Sequence, residues 1–179
     1  MQVIRTCEAG EGRKEVEMTA KDAIRHTLDF CRHVLLQYVE DMSDADLLVR
    51  PVPSANHVAW QMGHLIVTER DILAALGRLT PPLPSGFEQA HGSENARSDD
   101  RSRFYTKKEY LDLMKKLRDA TLLALDALPA TDLDRPAPES MRSYAPTIGA
   151  ALILLGTHEL MHAGQFVTVR RKLGKPILF

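Results

Sequence analysis

The chain of 179 residues is long enough to bury a substantial hydrophobic core, so it needs no disulfide or metal ion merely to fold. Lys and Arg number 23 against 24 Asp and Glu, and the net charge of -1 argues against nucleic-acid binding, which typically needs a strongly basic surface. Cys7 and Cys31 form no CxxC pair and exclude a thiolate zinc site, whereas seven histidines offer nitrogen ligands to a metal ion.

Two segments bear on localisation and domain organisation. The longest strongly apolar stretch, residues 148–156, is far shorter than the about 20 residues that span a bilayer. The polar N-terminus lacks the apolar region of a secretory signal. Residues 1–18 are predicted to form a flexible arm, followed by one domain over residues 19–179. We therefore expect a cytoplasmic protein with no membrane partner.

Four segments carry apolar residues at helical spacing, and no segment has the alternation of a convincing strand. The predicted helices cover residues 19–42, 54–76, 106–128 and 146–173. Thr19 and Asp22 are typical of a helix start, and Thr106 with Glu109 forms a T-x-x-E capping box at the start of the third helix. Four long helices without strands indicate an all-α four-helix bundle.

The fourth helix has a distinctive pattern of glycines and charges. Gly149, Gly156 and Gly164 fall near one face, where a neighbouring helix can approach closely. Gly174 and Pro176 predict the end of the helix. Its last turn carries three cations that complement the helix dipole, namely Arg170, Arg171 and Lys172. Arg170 and Arg171 are predicted to lie at the surface.

Long connections join the second helix to the third, over residues 78–105, and the third to the fourth, over residues 129–145. The first is rich in Pro, Gly, Ser and charged residues, and loops of this length are usually functional or disordered. We expect it to shape the entrance to a pocket. His91 lies within it and is predicted to be solvated, with a role as a lid residue as the alternative.

The sharpest local motif is H-E-L-M-H at residues 158–162, in which His158 and His162 are four residues apart and share a helix face. The spelling H-E-x-x-H supplies two zinc ligands and a general-base glutamate in metalloproteases. Those enzymes take a third ligand downstream, but the 17 residues after His162 contain no His, Asp, Glu or Cys. A third ligand must therefore come from upstream, which disfavours the protease.

His64, midway along the second predicted helix, is the upstream candidate. A bundle places facing helices about 8–10 Å apart, so inward histidines of two helices can share one ion. Three histidines with an open fourth position are typical of a catalytic zinc site, and nickel or iron also accepts three imidazoles. A hydrogen-bonded core histidine is the alternative for each residue taken alone.

These motifs resemble the DinB/YfiT-like family of metal-dependent four-helix-bundle proteins. The resemblance rests on W-Q-M-G-H-L at residues 60–65, on H-x-x-x-H at 158–162 and on the tail at 162–176, and it covers about residues 19–176. It implies a DinB-like bundle and a divalent metal on His64, His158 and His162. Members of this family are frequently homodimers, so the resemblance also implies a homodimer. It further implies a reaction that transfers or isomerises a group with the help of a low-molecular-weight thiol.

We therefore expect a metal-dependent enzyme acting on a small-molecule substrate by thiol transfer, isomerisation or hydrolysis. Glu159 and Gln165 are catalytic candidates, and neither is assigned a role. Two alternatives stay open, which are a non-catalytic bundle that binds a metal or small molecule and an H-E-x-x-H zinc hydrolase. The remaining histidines are predicted to lie at the pocket mouth or the surface (His57) and in solvent (His26 and His33).

Overall fold

The computed structural model describes residues 17–178, and the segment before them, on which most of the predicted arm at 1–18 falls, lies outside the described residues. The helices within that range are α1 (Ala20–Val39), α2 (Val58–Ala75), the short α3 (Phe87–Ala90), α4 (Lys107–Ala127) and α5 (Ile148–Lys172). No strand occurs among these residues, where an isolated bridge joins Pro136 to Thr147. The predicted all-α class is confirmed, and the four predicted helices correspond to α1, α2, α4 and α5.

Side-chain caps set the starts of the long helices. Thr19 and Thr106 each accept a hydrogen bond from the backbone three residues on, and the acid at that position bonds back, so both predicted helix starts are confirmed. The predicted start of α2 at residue 54 is wrong by four residues. His57 is the N-cap of α2, because its Nδ1 accepts a hydrogen bond from the Trp60 N–H at 3.0 Å.

The long helices bury their apolar faces against one another. α1 packs along α5, while α2 packs against both α4 and α5. A Cβ at Gly156 would lie 3.1 Å from the Thr27 side chain of α1, and one at Gly149 would lie 3.2 Å from the Leu133 carbonyl oxygen. Both positions confirm the predicted close approach. Gly164 does not, because nothing lies within 4 Å of its added Cβ.

The connection from α2 to α4 packs on the bundle through α3 and the residues that follow it. The prediction that His91 is solvated is wrong, because its side chain is only 1% exposed. One ring nitrogen lies 2.7 Å from the Phe87 carbonyl oxygen and the other 2.8 Å from the Tyr110 hydroxyl. The imidazole lies directly on α2, since a Cβ at Gly63 would be 1.9 Å from it.

The cations at the end of α5 do not all lie at the surface. Arg171 is exposed as predicted, whereas Arg170 is 1% exposed and the surface prediction is wrong for it. Its guanidinium donates to Asp41 at 2.5 Å and to the Tyr38 carbonyl at 2.8 Å, which offsets the cost of burying the charge. Among residues 17–178, no helix is both long and apolar enough to cross a membrane.

Candidate metal centre

Three histidines from two helices converge inside the bundle. His64 comes from the middle of α2, and His158 and His162 come from adjacent turns of α5. Each offers a ring nitrogen, and the three nitrogens all lie within 4.8 Å of one another. The structure thus brings together the three residues predicted as ligands, in an arrangement that could hold a metal ion.

The spacing of the nitrogens fits a small divalent cation. Nε2 of His158 lies 3.1 Å from Nε2 of His162. A tetrahedral zinc ion with bonds of about 2.0–2.1 Å holds its ligand nitrogens about 3.3 Å apart, close to this separation. The imidazole rings of His64 and His158 are nearly perpendicular, with centroids 5.2 Å apart, so the two rings do not stack against each other. The donor set and its spacing therefore fit a metal ion.

Gln61 determines which nitrogen of His162 carries the proton. Its amide is buried, and its Nε2 donates to the Asn56 carbonyl at 2.9 Å. Oε1 of Gln61 therefore faces His162 and accepts a hydrogen bond from Nδ1 at 2.8 Å. Nδ1 of His162 therefore carries the single proton of the neutral ring. Its Nε2 keeps a lone pair, which is directed toward His158 and the space beside it. Metal-binding histidines are commonly oriented in this way.

Trp60 orients His64 on α2. Its ring stacks on the His64 imidazole with centroids 5.1 Å apart and planes within 5°. The indole N–H donates to the Gly92 carbonyl at 3.2 Å, which ties the ring to the connection between α2 and α4. Three residues of the W-x-x-G-H sequence thus each have a distinct structural role. Trp60 supports the His64 ring, Gly63 makes room for His91, and His64 directs a ring nitrogen toward the other two histidines.

Burial keeps the three imidazoles neutral at physiological pH. It lowers the pKa of His64, and it lowers that of His158 to about 4, with the charge of His64 adding to the effect. The pKa of His162 is lowered to about 3, mainly by burial and further by the neighbouring His158 and His64. Neutral imidazole is the form that binds a metal ion, so burial favours the form of these three side chains that a metal ion would require.

A pocket of about 520 Å³ opens beside the cluster. Its walls come from α2, from α5 and from the connection before α5, around the 3-10 turn Glu139–Met141. Its lining residues are His64, Thr68, Asp71, Ile72, Ala75, Ser140, Met141, Tyr144, Leu154 and His158. Because two of the three histidines line it, a small molecule in the pocket could reach an ion held by them.

The comparisons with known proteins agree with this fold. The model of the DinB superfamily matches residues 27–166. The chain belongs to the DinB superfamily. The crystal structure of a conserved protein from Enterococcus faecalis aligns with a TM-score of 0.64 over 89% of this chain and 100% of that one, at 17% sequence identity, which supports the shared fold alone. The comparison with curated proteins gives no match.

Glu159 of this DinB-superfamily chain lies away from the three histidines, although it follows His158 in sequence. Oε1 of its buried carboxylate accepts hydrogen bonds from Arg32 Nε at 2.8 Å and Nη2 at 2.5 Å, and lies 3.1 Å from Nη2 of Arg118. The same arginines bind Glu69. Burial opposes ionisation of Glu69, but Arg118 and Arg32 outweigh it and hold its pKa below the usual value. Four charged groups thus neutralise one another inside the bundle.

The structure also places the remaining candidates of the DinB domain. Gln165 is exposed and does not line the pocket beside the histidines, so its predicted role there gains no support from the geometry. His26 and His33 are exposed as predicted, whereas His57 is buried, so its surface prediction is wrong. Gln61 had no predicted role. Its position three residues before His64, on the same helix face, was the available signal.

Proposed function

We propose that this member of the DinB superfamily is a divalent-metal-dependent enzyme whose ion is held by His64, His158 and His162. The observation that carries the proposal is the convergence of three imidazoles from two helices, two of which line a pocket. Three protein ligands leave a position free for water or substrate, as in catalytic zinc sites. Zinc, nickel and iron all accept such a donor set.

The proposed chemistry uses a small-molecule substrate in the pocket. The bound ion would lower the pKa of a coordinated water or low-molecular-weight thiol and polarise the group under attack. The chain's own residues would orient the histidines, through Gln61 and Trp60, and line part of the pocket with apolar side chains. Thiol transfer, isomerisation and hydrolysis are the reaction classes that this arrangement supports.

Elemental analysis of the purified protein tests the site. We expect about one divalent ion per chain in the native protein and a sharp loss of metal in His64→Ala. His33→Ala is the matched control, because His33 is an exposed histidine outside the cluster and its removal should leave metal content unchanged. Full metal content in His64→Ala would contradict the three-histidine site.

Glu159→Gln distinguishes the proposal from an H-E-x-x-H hydrolase. A hydrolase of that type needs the glutamate beside its metal-bound water, whereas Arg32 and Arg118 hold Glu159 elsewhere. We expect the variant to keep its metal and its turnover, measured where it is still folded. A panel of thiols with electrophilic substrates tests catalysis itself. If no member turns over while the metal stays bound, a non-catalytic binding bundle becomes the better description.

We further propose a homodimer, as the resemblance to the family predicts. Both α1 and α5 carry exposed apolar side chains that a second copy could cover, namely Phe30, Leu36, Ile153, Leu160 and Met161. Sedimentation equilibrium measures the mass, and Met161→Lys is expected to weaken association if α5 contributes to the interface. A cytoplasmic location stays a prediction of the sequence.

A further inference from the structure

One wall of the pocket is a straight face of α2. His64, Thr68, Asp71, Ile72 and Ala75 recur at spacings of three and four residues along it. At 1.5 Å per residue, Asp71 lies about 10 Å along the helix axis from His64. The pocket therefore extends along α2, with two of the histidines near one end and a carboxylate about two turns away.

The surface between these two ends is mainly apolar. Ile72 from α2 and Leu154 from α5 face the same cavity as Met141 and Tyr144 from the connection before α5. None of the described residues that line the pocket is a lysine or an arginine, and Asp71 is its single acid. The lining thus favours a molecule with an apolar body and disfavours one that carries an anion.

Asp71 keeps one oxygen available for such a molecule. Arg70 Nε and Nη2 both donate to Oδ1 of Asp71, at 3.0 and 2.7 Å, and the same guanidinium also donates to Glu88 at 2.6 Å. One arginine therefore serves two carboxylates, which leaves a net negative charge at this end. The Asp71 side chain is 57% exposed, and its Oδ2 can accept a further hydrogen bond.

We propose, building on the proposed function, that the pocket selects a small molecule with three parts. A metal-binding head lies at the histidines, an unbranched apolar segment lies along Ile72 and Leu154, and a cationic or hydrogen-bond-donating group binds Asp71. Asp71 is then a specificity residue, and it favours an ammonium group over a carboxylate at the far end of the substrate.

Binding of three six-carbon thiols to the cobalt-loaded protein tests this inference. 6-Aminohexanethiol, hexanethiol and 6-mercaptohexanoate share a head and a chain and differ only in the charge at the far end. Thiolate binding to cobalt is measured by the charge-transfer absorption that it produces. We expect the amine to bind about tenfold tighter than the carboxylate, because attraction to Asp71 is replaced by repulsion.

Asp71→Asn should abolish this preference while all three thiols still bind. Asp112→Asn is the matched control, since Asp112 is an acid of α4 paired with Lys108 outside the pocket. Equal affinities in the native protein, or a preference that survives Asp71→Asn, would overturn the inference and leave the proposed function intact. If cobalt or every thiol fails to bind, the proposed thiol chemistry fails and the inference falls with it.

Discussion

Replacing Gln61 by methionine would test how the metal centre is held in place. Methionine has a similar length and is apolar, so it removes the amide while largely filling its volume. In the native structure this amide connects the Asn56 carbonyl to Nδ1 of His162, at 2.9 and 2.8 Å. The variant therefore removes the acceptor that keeps the proton on Nδ1 and the lone pair on Nε2.

The expected loss of metal affinity follows from the tautomer of His162 that a metal ion requires. A metal on Nε2 forces the proton of His162 onto Nδ1, and in Gln61→Met that buried donor has lost its acceptor. An unpaired buried donor costs about 1–3 kcal/mol, which corresponds to roughly 5- to 150-fold in affinity. Without metal the proton can move to Nε2, which lies 3.1 Å from Nε2 of His158, so the metal-free protein avoids most of this cost.

Zinc affinity is best measured by competition with a chromophoric chelator. Gln61→Met should lose about 10- to 100-fold in affinity. Gln165→Met is the matched control, because Gln165 is exposed on the same helix as His162, and its affinity should equal that of the native protein. Gln61→Glu restores the acceptor for Nδ1 but loses the donor to the Asn56 carbonyl, so it should recover only part of the affinity.

A spectroscopic readout separates this positioning role from a general loss of stability. Long-range proton–nitrogen NMR of the native protein should show the His162 proton on Nδ1. The metal-free Gln61→Met protein should show a mixture of tautomers or the opposite one. Native zinc affinity in Gln61→Met, with the native tautomer retained, would refute the assignment of Gln61 as the residue that orients His162.

Three further predictions concern the scaffold, and each is checked by urea or thermal unfolding. Arg32→Met removes one of the two arginines that neutralise two buried carboxylates and should lower the unfolding free energy by about 3–5 kcal/mol, whereas Lys115→Met removes an exposed pair and should change it by less than about 1 kcal/mol. Gly63→Ala should cost about 1–3 kcal/mol because a Cβ there would collide with a buried ring, while Gly164→Ala, in open space, should gain about 0.5–1 kcal/mol. Hydrogen bonds from the buried Arg170 guanidinium lower the pKa of Asp41 from its ordinary value of 3.8. The stability that this pair contributes is therefore complete above pH 3.8 and is lost as the pH falls through the lower pKa of the folded state. Asp41→Asn should accordingly lose less stability than the native protein as the pH falls through this range.

Sequence reasoning predicted most of the helical architecture because its signals are local. Apolar spacing identified the four long helices, and the capping residues at Thr19 and Thr106 placed two starts within one residue. The start of α2 was missed because its cap is His57, a residue type outside the usual group of Ser, Thr, Asp and Asn. The burial of His91, in the connection after α2, was missed for another reason. It depends on His91 packing against Gly63, far away in sequence.

The clustering of His64, His158 and His162 was predictable because i and i+4 residues share a face and bundles bring inward faces together. The polar groups that surround them were not, because each depends on a partner from another helix. Arg170 can be buried because its guanidinium donates hydrogen bonds to Asp41 and to the Tyr38 carbonyl. The sequence shows only a cation in a last turn, and such cations lie at the surface in most proteins.

The H-E-x-x-H spelling shows most clearly what a motif cannot decide alone. Consecutive residues of a helix point about 100° apart, so His158 and Glu159 must face different neighbours once α5 is enclosed. His158 and His162 meet His64 of α2, whereas Glu159 meets Arg32 of α1 and Arg118 of α4. The glutamate therefore lies in the charge network that fixes α5 against two helices, and the histidines face the third. The glutamate of an H-E-x-x-H motif can act as a general base only where the fold places it beside the ion.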